Sequence, residues 1–250
     1  MKKNEKLYNR LIAEVEANFE GWDFSHLSGR VEEFPLTWNY TIALNKYLKA
    51  SSSMLDMGTG GGEFLSSLKP LPKSTCATEG YQPNIPVARN RLNPLGIEVF
   101  EVKDDSKLPF KDSKFDLIIN KHEAYDPSEV QRILSQDGIF ITQQVGGLND
   151  SDLNELFGAK QSIYNEWCMK QAVVDIENNG LTVLKNKECI TKTRFYDVGA
   201  IAYYLKCIPW QIEDFTVDKY FDRLVHINNI IEKEDYIDII CHRFLVIAKK

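Results

Sequence analysis

Cysteine is scarce in this 250-residue sequence: 5 occur, at positions 76, 168, 189, 207 and 241. None falls in a CxxC or at Cys/His ligand spacing, so a structural zinc site is not expected and the thiols read as buried groups in a reducing compartment. Long apolar runs are missing. Nothing approaches the roughly 18–20 residues that span a bilayer, and positions 1–19 mix charged and apolar residues without a signal-peptide core. The expectation is a cytoplasmic protein with no membrane partner. Positive charge is in the minority, with 30 Lys plus Arg against 36 Asp plus Glu and a net charge of -6. A global basic field for phosphate backbones is thereby excluded, while a local basic patch for nucleic acid stays open. Internal repeats and low-complexity linkers are absent as well.

What is present suits one packed core. Hydrophobic residues make up 43%, charged residues 26% and aromatics 11%, which argues against disorder. The length fits a single domain, or one domain with an elaborated cap.

Leu7, Tyr8, Leu11, Ile12, Val15 and Phe19 fall at helical spacing and predict an amphipathic helix. From Ser53 onward the pattern changes to short apolar runs: Met54 to Met57, Thr75 to Thr78, Ile97 to Val102, Phe115 to Ile119 and Ile139 to Thr142. Helical periods at 61–68, 83–92 and 127–134 separate them. Strands alternating with helices predict βαβ crossovers and a mostly parallel sheet covered on both faces. Asp126-Pro127-Ser128-Glu129 supplies an N-cap, a Pro at the first helical position and an acid at the third. Asp137-Gly138 then reads as a turn. A helix over 166–176 should stop at Asn178-Asn179-Gly180. Leu181 to Leu184 and Phe244 to Ala248 read as two last strands, bracketing about 60 residues with an apolar stretch at 198–208 and an amphipathic one at 217–231.

The chemistry is concentrated in Leu55-Asp56-Met57-Gly58-Thr59-Gly60-Gly61-Gly62-Glu63-Phe64. A strand enters a glycine-rich turn and leaves as a helix, so backbone amides lie open to a ligand that a Cβ would block. An anionic phosphate is the usual guest of such a helix start. Here the turn is flanked by Asp56 and Glu63, and no Lys follows the glycines as a P-loop requires. Two acids repel a pyrophosphate and favour a ligand bearing a sulfonium and an α-ammonium. Glu79, after the second strand, can accept both hydroxyls of a ribose; a solvated loop carboxylate is the plain alternative. Asp104 and Asp105 follow the third strand, ahead of Leu108-Pro109-Phe110, and Asn120-Lys121-His122-Glu123 follows the fourth.

The order LDMGTGGGEF, acid, DDSKLPF, FDLIIN resembles the Rossmann-like (class I) S-adenosylmethionine-dependent methyltransferases, in the group with a DxGxGxG signature and an LPF segment. The resemblance covers residues 50–148, and 181–249 more loosely. It implies an α/β fold with a seven-stranded, mostly parallel sheet of order 3-2-1-4-5-7-6, its last strand antiparallel, with helices on both faces. It also implies S-adenosylmethionine as cofactor and S-adenosylhomocysteine as product. On that resemblance Asp56, Gly58, Gly60 and Gly62 hold the methionine part, Glu79 the ribose, and Asp104 with Asp105 the adenine. Thr59, Gly80 and Asn120 complete the candidate cofactor set. Counting back from Leu108 favours Asp104 over Asp105 for the adenine amine.

The expected organisation is one methyltransferase domain over 1–250: a helical cap at 1–50, a cofactor-binding core at 51–148, and a C-terminal half at 149–250 with a substrate cap inserted at about 191–235. Methyl transfer needs mainly alignment of a nucleophile with an activated methyl group. His122 is the candidate base because it follows the fourth strand; a loop histidine bonded to backbone is the alternative. Trp38, Arg194, Tyr196 and Trp210 are candidate substrate contacts, in additions whose aromatics could equally form a small secondary core. No NPPY-like tetrapeptide follows the fourth strand and no magnesium-binding set is visible. A small-molecule acceptor leads; an RNA or nucleotide-base methyltransferase and a noncatalytic cofactor-binding module are the alternatives, with an NAD-dependent oxidoreductase well behind.

Overall fold

The structure, a computed structural model, describes residues 2–250. Eight strands form one sheet: β1 (Val31–Glu33), β2 (Ser53–Met57), β3 (Ser74–Glu79), β4 (Glu98–Glu101), β5 (Phe115–Lys121), β6 (Leu134–Val145), β7 (Thr182–Phe195) and β8 (Ile237–Lys249). Read from one edge the order is β4-β3-β2-β5-β6-β8-β7-β1. The five strands from β4 to β6 pair in parallel, whereas β8 runs antiparallel to both β6 and β7. Leaving β1 aside, this is the expected 3-2-1-4-5-7-6 arrangement with its antiparallel last strand. The eighth strand, β1, adds to the far edge by pairing antiparallel with the end of β7.

Period-two alternation sorts the buried strands between two layers. Met54, Leu117, Ile119 and Ile141 face one core, packed by α2 (Tyr40–Leu48), α3 (Glu63–Ser67) and α4 (Asn84–Leu92). Leu55, Ile118, Phe140 and Val246 face the other, packed by α5 (Pro127–Ile133) and α7 (Met169–Asn178). The α5 cap forms as its sequence predicts, with the Asp126 carboxylate accepting from the amides of Ser128 and Glu129. The expected Asp137-Gly138 turn lies inside β6, where Asp137 takes a φ of 65°.

The remaining helices, α1 (Lys2–Glu16), α6 (Ser151–Phe157), α8 (Val198–Cys207) and α9 (Val217–Glu234), share a third core built on Leu11, Phe157, Ile201, Tyr203 and Ile227. The N-terminal helix and the residues before the last strand look like two separate additions in sequence; they pack as one helical layer. Part of the 60-residue interval is also sheet, because β7 continues to Phe195 and β8 begins at Ile237. The outer part of β7 carries Lys185, Lys187 and Lys192 and is only partly covered, so it lacks the apolar run that marks the inner strands. Among the described residues no helix is long and apolar enough to cross a membrane.

Candidate functional site

The turn between β2 and α3 is built from three glycines in the left-handed region, with φ of 67°, 62° and 81° at Gly58, Gly60 and Gly62. Two carboxylates hold it from beneath. Asp56 accepts from the Thr59 hydroxyl at 2.8 Å. Glu79 accepts from the Gly60 amide at 2.6 Å and from the Tyr81 amide at 2.8 Å. Both acids are buried.

Above the turn the glycines accept side chains where a Cβ would stand. A Cβ at Gly58 would overlap the side chain of Glu123, and one at Gly60 would come within 2.7 Å of Trp22 Cδ1. Burial pushes the Asp56 carboxyl up to about 7, with nearby Glu79 adding to the shift and Thr59 and Lys121 opposing it. Glu123 is pushed up to about 7 by burial and then by Glu79 and Asp105. Burial also raises Glu79, against the amides that bond it, and raises Asp105, helped by Asp104 and Asp126. Lys121, His122 and Glu123 remain open to water although protein surrounds them on most sides. They close or follow β5 at the C-terminal ends of the parallel strands, the side on which open α/β sheets bind ligands.

Asp56, Glu79 and Glu123 therefore converge on the turn, and Asp105 is near enough to raise Glu123. Glu63, the other acid expected to flank it, is paired instead with Arg91, which also donates to the Gly61 carbonyl; that pair lies half-exposed beside the turn. Asp104, which the count from Leu108 favours, and Asp105 sit in different surroundings. Asp104 is exposed and accepts from the Ser106 amide and hydroxyl at 2.9 and 2.6 Å, while Asp105 is the one whose charge reaches Glu123. Gly80 closes tightly behind, its Cβ position 3.0 Å from the Val102 carbonyl.

The Asn120 side chain is committed to the fold. It accepts from Thr142 at 2.9 Å and Gln144 at 2.6 Å and donates to the Ala124 carbonyl at 3.3 Å. His122 is tied into a short relay. The Trp38 indole, which can only donate, bonds Gln143 Oε1 at 2.8 Å, so the Gln143 amide nitrogen faces His122 Nε2 at 3.0 Å. The imidazole lone pair on Nε2 is thus already engaged. Burial, then Arg243 and Lys121, hold the His122 pKa well below its ordinary value. A base role for His122 requires that hydrogen bond to open.

The four candidate substrate contacts separate. Trp38 lines a cavity of about 590 Å³ beside the turn, with Tyr40, Phe64, Lys121 and Gln143. Trp210 leans on Trp22, ring centres 5.8 Å apart, and so stands near Gly60. Arg194 is elsewhere, bonded to Asp238 at 2.7 and 3.0 Å and stacked 3.4 Å from the Tyr236 ring centre. Tyr196 donates to Glu32 at 2.7 Å on the same β1–β7 edge. The sequence reading passes over Phe64 and Gln143 as site residues. Phe64 had a usable signal, an aromatic directly after the glycine turn; Gln143 had none, since its place depends on Trp38, 105 residues away.

Sequence comparison finds the uncharacterized methyltransferase YcgJ of Bacillus subtilis (strain 168), 28% identical over 102 residues, or 37% of this chain. That match spans 40% of the relative's own length. In structure YcgJ superposes with a TM-score of 0.59 at 17% identity, over 84% of this chain and 97% of YcgJ. A provisionally assigned methyltransferase, BH2331 of Bacillus halodurans C-125, gives 0.59 at 16% identity over 84% and 98%. The [4+2]-cyclase SpnF gives 0.55 at 13% identity over 98% and 94%. At such low identities these likenesses establish the fold alone. The family described as "Methyltransferase domain" matches residues 48–198, more than half of the chain and the whole stretch that carries the glycine turn and its acids, and the protein belongs to that family.

Proposed function

We propose that the chain transfers a methyl group from S-adenosylmethionine to a small-molecule acceptor, as a single domain whose helical layer and 35–39 loop help choose that acceptor. The observation that carries this reading is the convergence of Asp56, Glu79 and Glu123 on three left-handed glycines, with Asp105 close to Glu123. Crowded carboxyls with raised pKa values favour a cationic guest and disfavour a pyrophosphate. When bound, the cofactor supplies a methyl group already activated by its sulfonium. Gly58, Gly60 and Gly62 provide close approach to the backbone, and Glu79 and Asp105 stand where polar groups of an adenosine would be held. Glu123 and Trp22 move aside as a ligand reaches the turn, because they lie over Gly58 and Gly60. The residues present therefore fit the cofactor.

Calorimetry tests the reading. S-adenosylmethionine and S-adenosylhomocysteine should bind and NAD should not; the reverse result would sink it. Gly60→Arg should abolish binding, since the side chain would fill the space over the turn that the ligand enters and Gly60 holds a left-handed φ of 62°; an affinity within threefold of wild type would show that the turn is not the site. Binding without transfer is the second reading, favoured by the occupied Nε2 of His122. A panel of acceptors assayed for S-adenosylhomocysteine release decides between them.

A further inference from the structure

The cavity beside the turn has a composition of its own. It lies on the sheet face that α2 covers, next to Phe64 of α3 and Lys121 at the end of β5. Its aromatic walls have little hydrogen bonding left to offer. The Tyr40 hydroxyl is directed at the carbonyls of Asn120 and Ile141, at 2.9 and 3.2 Å, and the Trp38 N–H is held by Gln143. Trp38 and Phe64, both half-buried, are left with ring surface to offer, while Tyr40 is itself buried. The Phe64 and Tyr40 ring centres are 5.5 Å apart.

Lys121 is the cation on this lining. Its Nζ stands 5.1 Å from the Phe64 ring centre. Among the described residues no carboxylate lies within the 4.0 Å of an ion pair, and no acceptor takes a hydrogen bond from it. Asp56 and Glu33 attract it from farther off, Arg243 repels it, and burial has the largest effect, leaving its pKa below the ordinary lysine value. The ammonium is open to water and carries three donors, so a carboxylate seated in the cavity could pair with it. An aromatic ring beside that anion would also meet the Trp38 and Phe64 rings, in a lining to which Thr37, Asn39, Thr41 and Gln143 add polar groups.

We propose that this cavity binds a flat aromatic acid, its carboxylate on Lys121 and its ring against Trp38 and Phe64, and that such an acid is the methyl acceptor. The cavity is open to solvent, and its volume of about 590 Å³ leaves room for a ligand of one or two rings. Lys121 and Glu123 belong to one short segment, so the cavity and the turn share a wall and an acceptor in the cavity lies beside the methyl-donor site. The word acceptor rests on the function proposed above; the anion site does not.

The test titrates the full chain with 4-hydroxybenzoate and with its uncharged counterpart, 4-hydroxybenzamide. The acid should bind at least about tenfold tighter, a difference of ~1.4 kcal/mol. Lys121→Met should erase that preference and Lys121→Arg should keep it, with unchanged melting of both variants showing intact folds. Equal binding of acid and amide, binding of neither, or a preference that survives Lys121→Met each overturns the proposal. If Lys121→Met does not fold, loss of the preference in Lys121→Gln serves in its place, and its survival overturns the proposal equally. S-adenosylhomocysteine titrated into the same wild-type sample separates the two claims. Its failure beside a Lys121-dependent acid site removes the methyl-transfer reading and leaves the anion site; its success without acid preference removes the acid pocket alone.

Discussion

Glu123 and Gly58 show how single residues set the character of the site. The carboxyl sits where the glycine has no Cβ, and burial with neighbouring acids pushes it up to about 7. Folding therefore makes it bind its proton more tightly. A group of this kind costs nothing below the unfolded carboxyl range, costs progressively more as pH climbs from about 4 towards about 7, and costs its full amount above that. Glu123→Gln removes the cost. We expect the ligand-free variant to gain roughly 1 kcal/mol at pH 8, after allowing for its access to water, which is about 2–4 °C in a protein of this size, and almost nothing at pH 4. Thermal scans at both pH values check this; an equal gain at both would show that charge is not the cause. The glycine turn and an acid after each inner strand are legible in the sequence because both are local to one strand end. The partner of Glu63 and the neighbour of Gly60 are not, since Arg91 and Trp22 arrive from segments 28 and 38 residues distant.

At the scale of elements, legibility follows burial. The inner strands are covered on both faces and read as apolar runs, so β2, β5 and β6 appear in the sequence near their true places. β1 is Val-Glu-Glu, three residues with no apolar alternation, and exists because the end of β7 offers it an edge. The helical layer of α1, α6, α8 and α9 follows the same rule. Amphipathic spacing marks α1 and α9 in sequence, while the contact between them is set by the third core. Ile227 is fully buried there. Ile227→Ala should cost about 2–5 kcal/mol through lost burial and the cavity left behind, read as a lower denaturant midpoint at unchanged slope. A cost below about 0.5 kcal/mol would mean that α9 is not packed as described.

For the whole molecule, the net charge of -6 matters less than where a few acids converge. Strand order brings the ends of β2, β3 and β5 side by side, and with them Asp56, Glu79 and the segment carrying Glu123, which are far apart in sequence. Those acids should tell S-adenosylmethionine from S-adenosylhomocysteine, which differ by the sulfonium charge. With both carboxyls pushed up to about 7, the ionisation of Asp56 and Glu123 should rise between pH 6 and pH 8. Binding of the sulfonium should then strengthen about tenfold or more between these pH values, with protons released on binding at the lower one. Binding of the uncharged thioether should strengthen by clearly less, since only its α-ammonium feels the change. Calorimetry in two buffers of different ionisation enthalpy measures both affinity and proton release, and identical pH dependence for the two ligands would separate the acid cluster from recognition of the sulfonium.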